Sequence, residues 1–125
     1  MPKRIKKSKL RKKVLLVDDE LDDLLIMKEI LEKHNFEVTA LANGRKALEA
    51  INSDKYHLLL LDILMPELSG YDLLRLFRKK QREKIPLVFV SIIPENEVDK
   101  TNIDGFIQKP FSPEKFINVI QKALK

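Results

Sequence analysis

Six polar side chains of this sequence stand directly after short segments that could form strands. They are three consecutive acids, a separate aspartate, a serine and a lysine: Asp18, Asp19, Glu20, Asp62, Ser91 and Lys109. Carboxylate oxygens are the ligands that a hard divalent ion such as Mg²⁺ prefers. A carboxylate can also act as a nucleophile that takes a phosphoryl group, whose oxygens a metal ion, a lysine and a hydroxyl can hold. Brought together, these groups could therefore bind Mg²⁺ and form an aspartyl phosphate.

Five segments have the composition of strands that would position these groups. Continuous apolar runs at 14–17, 58–61 and 87–90 are typical of strands covered on both faces, as in a parallel sheet. Weaker strand patterns lie at 36–41 and 106–108. In open parallel sheets, ligands bind beyond the carboxyl ends of the strands. The polar groups are therefore expected to meet at one edge of the sheet.

Amphipathic segments between these runs predict helices at 20–34, 43–52 and 71–80. A last helix is predicted after Ser112, which is a suitable N-cap and is followed by Pro113. Alternating strands and helices indicate βαβ units with right-handed crossovers. Five strands and about five helices in this length predict an α/β fold. It is a flavodoxin-like, doubly wound, five-stranded parallel sheet of order 2-1-3-4-5 with helices on both faces.

Each polar residue also has a purely structural interpretation, which is favoured for any one of them alone. Asp19 or Glu20 could cap the following helix, and Asp62 could be a turn residue. Ser91 could bond a local backbone group, and a lysine before a proline is usually a solvated surface residue. Structural roles do not explain their convergence, because three crowded carboxylates repel one another and need a cation nearby.

Four separated segments resemble the receiver domain of response regulators in two-component signalling. Residues 13–20 look like the opening of that domain, and residues 62–70 resemble its phosphoacceptor segment, with Met65-Pro66 and Gly70 in place. Ser91 matches the switch hydroxyl after the fourth strand. Residues 106–111 match the lysine-proline motif, including its aromatic residue. The resemblance covers residues 13–125, which are expected to form the receiver domain.

The resemblance implies a role for each matching residue. Asp62 would accept a phosphoryl group from a histidine kinase or a phosphotransfer protein. Asp19 and Asp62 would bind Mg²⁺ directly, Asp18 would act through water, and the backbone carbonyl of Leu64 would complete the protein ligands. Lys109 would pair with the phosphoryl group.

The resemblance also implies a switch and an output. Ser91 would move to hydrogen-bond the phosphoryl group, and Phe106 would turn inward into the space that it leaves. The peptide bond before Pro110 would be cis. In the family, the face made by the fourth helix, the fifth strand and the last helix reports the state to a partner. An unknown downstream protein and a phosphorylation-dependent homodimer are therefore expected.

Two features depart from the family pattern. The stretch between the switch serine and the motif lysine is about one helical turn short for the family and contains Pro94, so its helix is expected to be short or irregular. Leu64 and Ile93 are apolar where many members are polar, and Ile92 replaces a residue that is commonly small. We hypothesise that Leu64 and Ile93 exclude water and make the phosphoaspartate long-lived.

The charge of the chain is uneven. The sequence has 24 basic and 19 acidic side chains, a net charge of +5, and eight of the basic ones lie in residues 1–13 without an acid. Residues 1–12 are predicted to be a basic, flexible N-terminal tail. A solvated tail is favoured over one that binds nucleic acid or an anionic membrane, because no aromatic side chain is interleaved to stack on bases.

Composition excludes several classes of protein. The chain has no cysteine, which excludes a disulfide scaffold, a thiolate zinc site and a cysteine nucleophile. No apolar run is long enough to span a bilayer, and the charged start is not a signal peptide, so a cytoplasmic location is expected. The last helix ends at the C-terminus without a linker, which predicts a stand-alone receiver. It would not be an enzyme beyond its own phosphorylation and dephosphorylation.

Two other functions remain open. A Mg²⁺-dependent phosphohydrolase of the haloacid-dehalogenase type would need a second acid two residues after Asp62, where this chain has Leu64, so it is disfavoured. The other alternative is a receiver fold that works as a docking module for nucleic acid or a membrane, constitutively or through the basic tail. Binding that falls steeply with salt would favour it.

Overall fold

The computed structural model describes residues 11–80 and 84–125. Strands and helices alternate along this part of the chain. They are β1 (Lys13–Val17), α1 (Leu21–Lys33), β2 (Glu37–Leu41), α2 (Gly44–Ala50), β3 (Leu58–Asp62), α3 (Gly70–Lys80), β4 (Leu87–Ser91), β5 (Gly105–Gln108) and α4 (Pro113–Ala123). Most of the predicted basic tail, residues 1–10, lies outside the described residues.

The five strands form one parallel sheet of order β2-β1-β3-β4-β5. The predicted fold class, including this strand order, is therefore confirmed. All residues of β3 and β4 are buried, as are the last four residues of β1. Burial on both faces explains why these three strands are continuous apolar runs.

Helices cover both faces of the sheet because successive strand residues point to opposite sides. Val14 and Leu16 of β1 belong to an apolar cluster with the buried residues of α1 and α4, including Met27 and Phe116. The alternate β1 residues belong to a second cluster with the buried residues of α2 and α3. Each fully buried leucine or phenylalanine stabilises the fold by about 1.5–3 kcal/mol.

Side-chain caps fix the starts of two helices, and the one at Ser112 is the cap that the sequence predicts. The Asn43 Oδ1 atom accepts hydrogen bonds from the backbone nitrogens of Arg45 and Lys46 at the start of α2. Ser112 Oγ accepts from the backbone nitrogen of Lys115 at the start of α4. The start of α1 is different, because its N-cap residue, Glu20, makes no side-chain capping bond. Among the acids that follow β1, Asp18 instead accepts a hydrogen bond from the backbone nitrogen of Glu20 over 2.9 Å.

The crossover from β4 to β5 contains a short 3₁₀ helix, Glu95–Glu97, and no α-helix. The described residues thus contain four α-helices rather than five, and the expectation of a short or irregular helix here is correct. Pro94 precedes the 3₁₀ helix in an extended conformation, with ψ of 138°. Arg78 at the end of α3 donates to the carbonyl oxygens of Ile85 and Asn102, which ties the loops flanking β4 and β5 to that helix.

Within residues 11–80 and 84–125, no helix combines the length and apolar character that crossing a membrane requires.

Candidate functional site

The carboxyl ends of four adjacent strands place their polar residues at one edge of the sheet. Asp18 follows β1, Asp62 ends β3, Ser91 ends β4 and Lys109 follows β5. Asp18 and Ser91 are fully buried and Asp62 is 5% exposed. Buried polar groups require hydrogen-bond or ionic partners. The contacts among these residues therefore determine which ions and chemical groups this edge can bind.

Three carboxylates form an acidic cluster at this edge. Asp18, Asp19 and Asp62 each offer an oxygen atom, and the three oxygens lie within 4.8 Å of one another. Asp19 is exposed, while the other two are buried. Hard oxygen ligands beside open solvent fit Mg²⁺, which takes one or two carboxylates and keeps several of its waters. The donor set of this edge therefore suits that ion.

Lys109 lies against the same carboxylates. Its Nζ atom donates to Asp18 Oδ2 over 2.9 Å and pairs with Asp23 Oδ2 at 2.8 Å. The distance to Asp62 Oδ2 is longer, 3.8 Å. The Lys109 side chain is only 9% exposed, so the residue is a buried counter-charge rather than a solvated surface lysine. The peptide bond that joins it to Pro110 is cis, as the resemblance implies.

Burial and charge change the acid–base behaviour of this cluster. Burial, together with repulsion from Asp18, raises the pKa of Asp62 to about 7, although Lys109 acts in the opposite direction. Burial by itself would lower the pKa of Lys109, but hydrogen bonds to Asp18 and Asp23 and the charge of Asp62 raise it above its ordinary value. Lys109 therefore stays positively charged, and Asp62 is held in a site that favours added positive charge.

The switch residues make local contacts in this structure. Ser91 Oγ accepts a hydrogen bond from the backbone nitrogen of Ile93, which is the structural role considered for it above. The Ser91 carbonyl oxygen accepts from the backbone nitrogen of Lys109 and from the Gln108 side chain. Phe106 is half-buried and packs against the cluster on the α2 and α3 side. The roles of Ser91 and Phe106 in switching remain predictions.

An open cleft of about 200 Å³ gives access to Asp62. Its lining consists of acidic residues, one lysine and two apolar residues: Asp19, Glu20, Asp23, Asp62, Leu64, Ile92 and Lys109. Leu64 is 49% exposed and Ile92 is 65% exposed. Ile93 instead packs against the second apolar cluster. Of the two isoleucines after β4, Ile92 is therefore the one that lines the cleft. The structure does not place Ile93 there, as the hypothesis that Leu64 and Ile93 exclude water requires.

Two residues that contact the site were missed in the sequence. Asp23 pairs with Lys109, and Gln108 bonds the Ser91 carbonyl. A signal for Asp23 existed, because it stands in the first turn of α1 and that turn follows the acidic pair at the edge of the sheet. Gln108 gives no such signal. It is the last residue of β5, and the alternation of side chains along this short strand does not predict that its side chain turns towards Ser91.

The sheet order, the cleft at its carboxyl edge and the clustered acids define a class of flavodoxin-like proteins with a metal-binding donor set. The model of the response regulator receiver domain family matches residues 14–121. The chain therefore belongs to the response regulator receiver domain family and is a two-component signalling module. Proteins of this family are signalling modules rather than enzymes with a turnover reaction of their own.

Individual relatives agree with this assignment. Response regulator SaeR of Staphylococcus aureus is 29% identical over 117 residues, which cover 89% of this chain and 50% of SaeR. The chain thus spans about half the length of the curated relatives it matches. A CheY-like receiver domain protein from Methanospirillum hungatei JF-1 is 31% identical, with a TM-score of 0.82 over 91% of this chain and 94% of that chain.

A third relative was solved with ligands. The response regulator TrrA from Thermotoga maritima, in complex with Mg²⁺-BeF, is 28% identical with a TM-score of 0.82, over 90% of this chain and 99% of that chain. All three comparisons identify the same family.

Proposed function

We propose that Asp62 accepts a phosphoryl group from the phosphohistidine of a histidine kinase or a phosphotransfer protein, and that the loaded domain binds a downstream partner. The observation that supports this most directly is the position of Asp62, which lies on an open cleft beside two further carboxylates and a buried lysine. The downstream protein, a phosphorylation-dependent homodimer and a cytoplasmic location remain predictions.

The proposed reaction is a single phosphoryl transfer. An Asp62 carboxylate oxygen forms a bond to phosphorus while the bond from phosphorus to the donor breaks. The electron pair of that bond leaves with the donor imidazole, or with acetate when acetyl phosphate is the donor. The product is an acyl phosphate, which water later hydrolyses to inorganic phosphate and the free Asp62 carboxylate. The domain thereby returns to its starting state with water as the only further reactant.

The residues of this edge suit the proposed reaction. Asp18, Asp19 and Asp62 would hold Mg²⁺, together with the Leu64 carbonyl, and the bound ion would offset the charge of the transferred group. Lys109 would hold a second phosphoryl oxygen, because its ammonium is already 3.8 Å from Asp62. Ser91 would exchange its bond to a backbone nitrogen for one to the third phosphoryl oxygen, and Phe106 would follow it inward.

The test is intact mass after incubation with acetyl phosphate and Mg²⁺. We expect one added phosphoryl group that requires Mg²⁺ and is lost in mild base. Asp62→Asn should abolish it. Asp22→Asn should not, because Asp22 is an exposed acid of α1 that does not line the cleft.

Other outcomes of the same experiment would contradict the proposal. Continuous release of phosphate over many turnovers would indicate a phosphohydrolase. An unmodified protein that still binds Mg²⁺ would indicate a constitutive docking module with a receiver fold.

A further inference from the structure

Lys109 is shared between two carboxylates at nearly equal distances. Its Nζ atom lies 2.9 Å from Asp18 Oδ2 and 2.8 Å from Asp23 Oδ2, but 3.8 Å from Asp62 Oδ2. Asp23 belongs to the first turn of α1 and lines the cleft. The ammonium therefore joins α1 to the end of β5, and its shortest contacts are not with the residue that is proposed to carry the phosphoryl group.

The two short contacts differ in how easily they can be broken. Asp18 is fully buried, so losing the ammonium would leave an unpaired charge out of reach of water. The Asp23 side chain is 35% exposed, so water can replace the ammonium there at much lower cost. When Lys109 turns towards a new anion, Asp23 is therefore the contact that it gives up.

The charge of Asp23 also acts on an incoming donor. The cleft is lined by four carboxylates, Asp19, Glu20, Asp23 and Asp62, and by a single ammonium. A phosphodonor is itself an anion, so each fixed negative charge in the cleft opposes its approach. Asp23 thus disfavours loading in two ways, since it repels the donor and occupies the ammonium that would hold a phosphoryl oxygen.

We propose that Asp23 is a positioning residue that holds Lys109 away from Asp62 and slows phosphoryl loading until Lys109 exchanges Asp23 for a phosphoryl oxygen. This inference rests on the proposed function of Asp62. It goes further in naming a contact, the ion pair between Lys109 and Asp23 of the first turn of α1, that phosphorylation breaks.

The test compares Asp23→Asn with Asp22→Asn, which removes the same charge from a neighbouring exposed position on the same turn. The initial rate of phosphoryl incorporation from acetyl phosphate in saturating Mg²⁺ should rise roughly threefold to tenfold in Asp23→Asn. It should stay close to wild type in Asp22→Asn. Asp23→Glu keeps the carboxylate and should restore slow loading. A merely structural role for Asp23 would lower the loading rate with the folded fraction rather than raise it.

Magnesium binding supplies a readout that needs no transfer. Asp23→Asn also removes a negative charge from the cleft, which weakens cation binding by itself. If the freed ammonium moves closer to Asp62 and competes with the cation, calorimetry should show that Asp23→Asn weakens Mg²⁺ binding more in the wild-type background than in Lys109→Met, where only the loss of charge remains.

Loading and Mg²⁺ affinity that are the same in Asp23→Asn and Asp22→Asn would overturn the inference. A wild-type protein that binds Mg²⁺ but never takes a phosphoryl group would contradict the proposed function instead. The contact between Asp23 and Lys109 would then be judged by Mg²⁺ affinity alone. A larger effect of Asp23→Asn with Lys109 present than in Lys109→Met supports the inference, and equal effects overturn it.

Discussion

The side-chain amide nitrogen of Gln108 donates a hydrogen bond to the carbonyl oxygen of Ser91 over 3.1 Å. The oxygen of the same amide accepts from the backbone nitrogen of Glu95 over 3.0 Å. One side chain therefore joins the end of β4, the end of β5 and the start of the 3₁₀ helix. The crossover between these strands contains no α-helix that could pack on the sheet. The hydrogen bonds of Gln108 therefore help to hold the crossover against the sheet.

Replacing Gln108 by leucine should loosen this crossover. Leucine keeps a similar volume but removes the bonds to Ser91 and Glu95. The Ser91 carbonyl keeps its bond from the Lys109 backbone nitrogen, whereas the Glu95 nitrogen loses its Gln108 partner. We expect a loss of about 1–2 kcal/mol in the free energy of unfolding and faster amide exchange across residues 93–98. Urea denaturation and hydrogen exchange by mass spectrometry measure the two effects.

Gln121→Leu changes an exposed glutamine of α4 and serves as the control. Unchanged exchange in Gln108→Leu would show that the crossover is held by other contacts.

Gly70 sits where the backbone after Asp62 approaches the start of α3. A Cβ atom added there would lie 2.5 Å from the Asp62 carbonyl oxygen and 2.9 Å from Ile63 Cα. Both are backbone atoms, so Gly70→Ala must displace the segment that carries Asp62. We expect a loss of about 1–3 kcal/mol in stability and slower loading from acetyl phosphate.

Gly44→Ala is the matched control for Gly70. The nearest atom to its added Cβ is Leu68 Cβ, at 3.1 Å, so a shift of only a few tenths of an ångström is needed. Its thermal midpoint and its loading rate should stay near those of the wild type. Equal losses in the two variants would mean that the close approach at Gly70 has no special effect on Asp62.

The sheet could be predicted because its central strands are buried on both faces. Runs such as 58–61 are apolar at every position, which only a strand covered on two sides requires. The order of the strands also fixes which strand ends are neighbours. The sequence alone therefore predicts that Asp18, Asp62, Ser91 and Lys109 meet at one edge.

Side-chain directions at the ends of strands could not be predicted in the same way. Beyond β4 the chain leaves the regular alternation, so the sequence does not tell which of Ile92 and Ile93 reaches the cleft. Asp23 was missed for a related reason, because an acid in the first turn of a helix is ordinarily explained by the helix dipole. Its contact with Lys109 depends on how α1 packs against the sheet.

Leu64 and Ile92 are apolar groups in the lining of the cleft beside Asp62. They disfavour the binding of a water molecule that could attack the phosphoaspartate. The double variant Leu64→Asn with Ile92→Thr should therefore shorten the life of the phosphoaspartate, with hydrolysis faster by roughly twofold to tenfold. The measurement is the loss of the phosphoryl group after removal of the donor, followed by intact mass.

The control for this double variant also replaces exposed apolar residues, but outside the cleft. Leu25 and Ile26 of α1 are 63% and 51% exposed and do not line it. Leu25→Asn with Ile26→Thr should leave the lifetime unchanged. If the cleft variant has the same lifetime as this control, exclusion of water by Leu64 and Ile92 is wrong.

Asp62 should make the metal-free protein less stable as the pH rises. Its pKa is about 7 in the fold against an ordinary value of 3.8, so between these values the folded chain holds a proton that the unfolded chain has lost. The free energy of unfolding therefore falls as the pH rises through this window, and the whole loss of stability is present above pH 7.

Asp62→Asn lacks the ionisable group. In EDTA it should be more stable than wild type by about 1–3 kcal/mol at pH 8, and the gain should shrink towards pH 4. Urea denaturation across this range is the measurement, and a difference independent of pH would contradict the raised pKa.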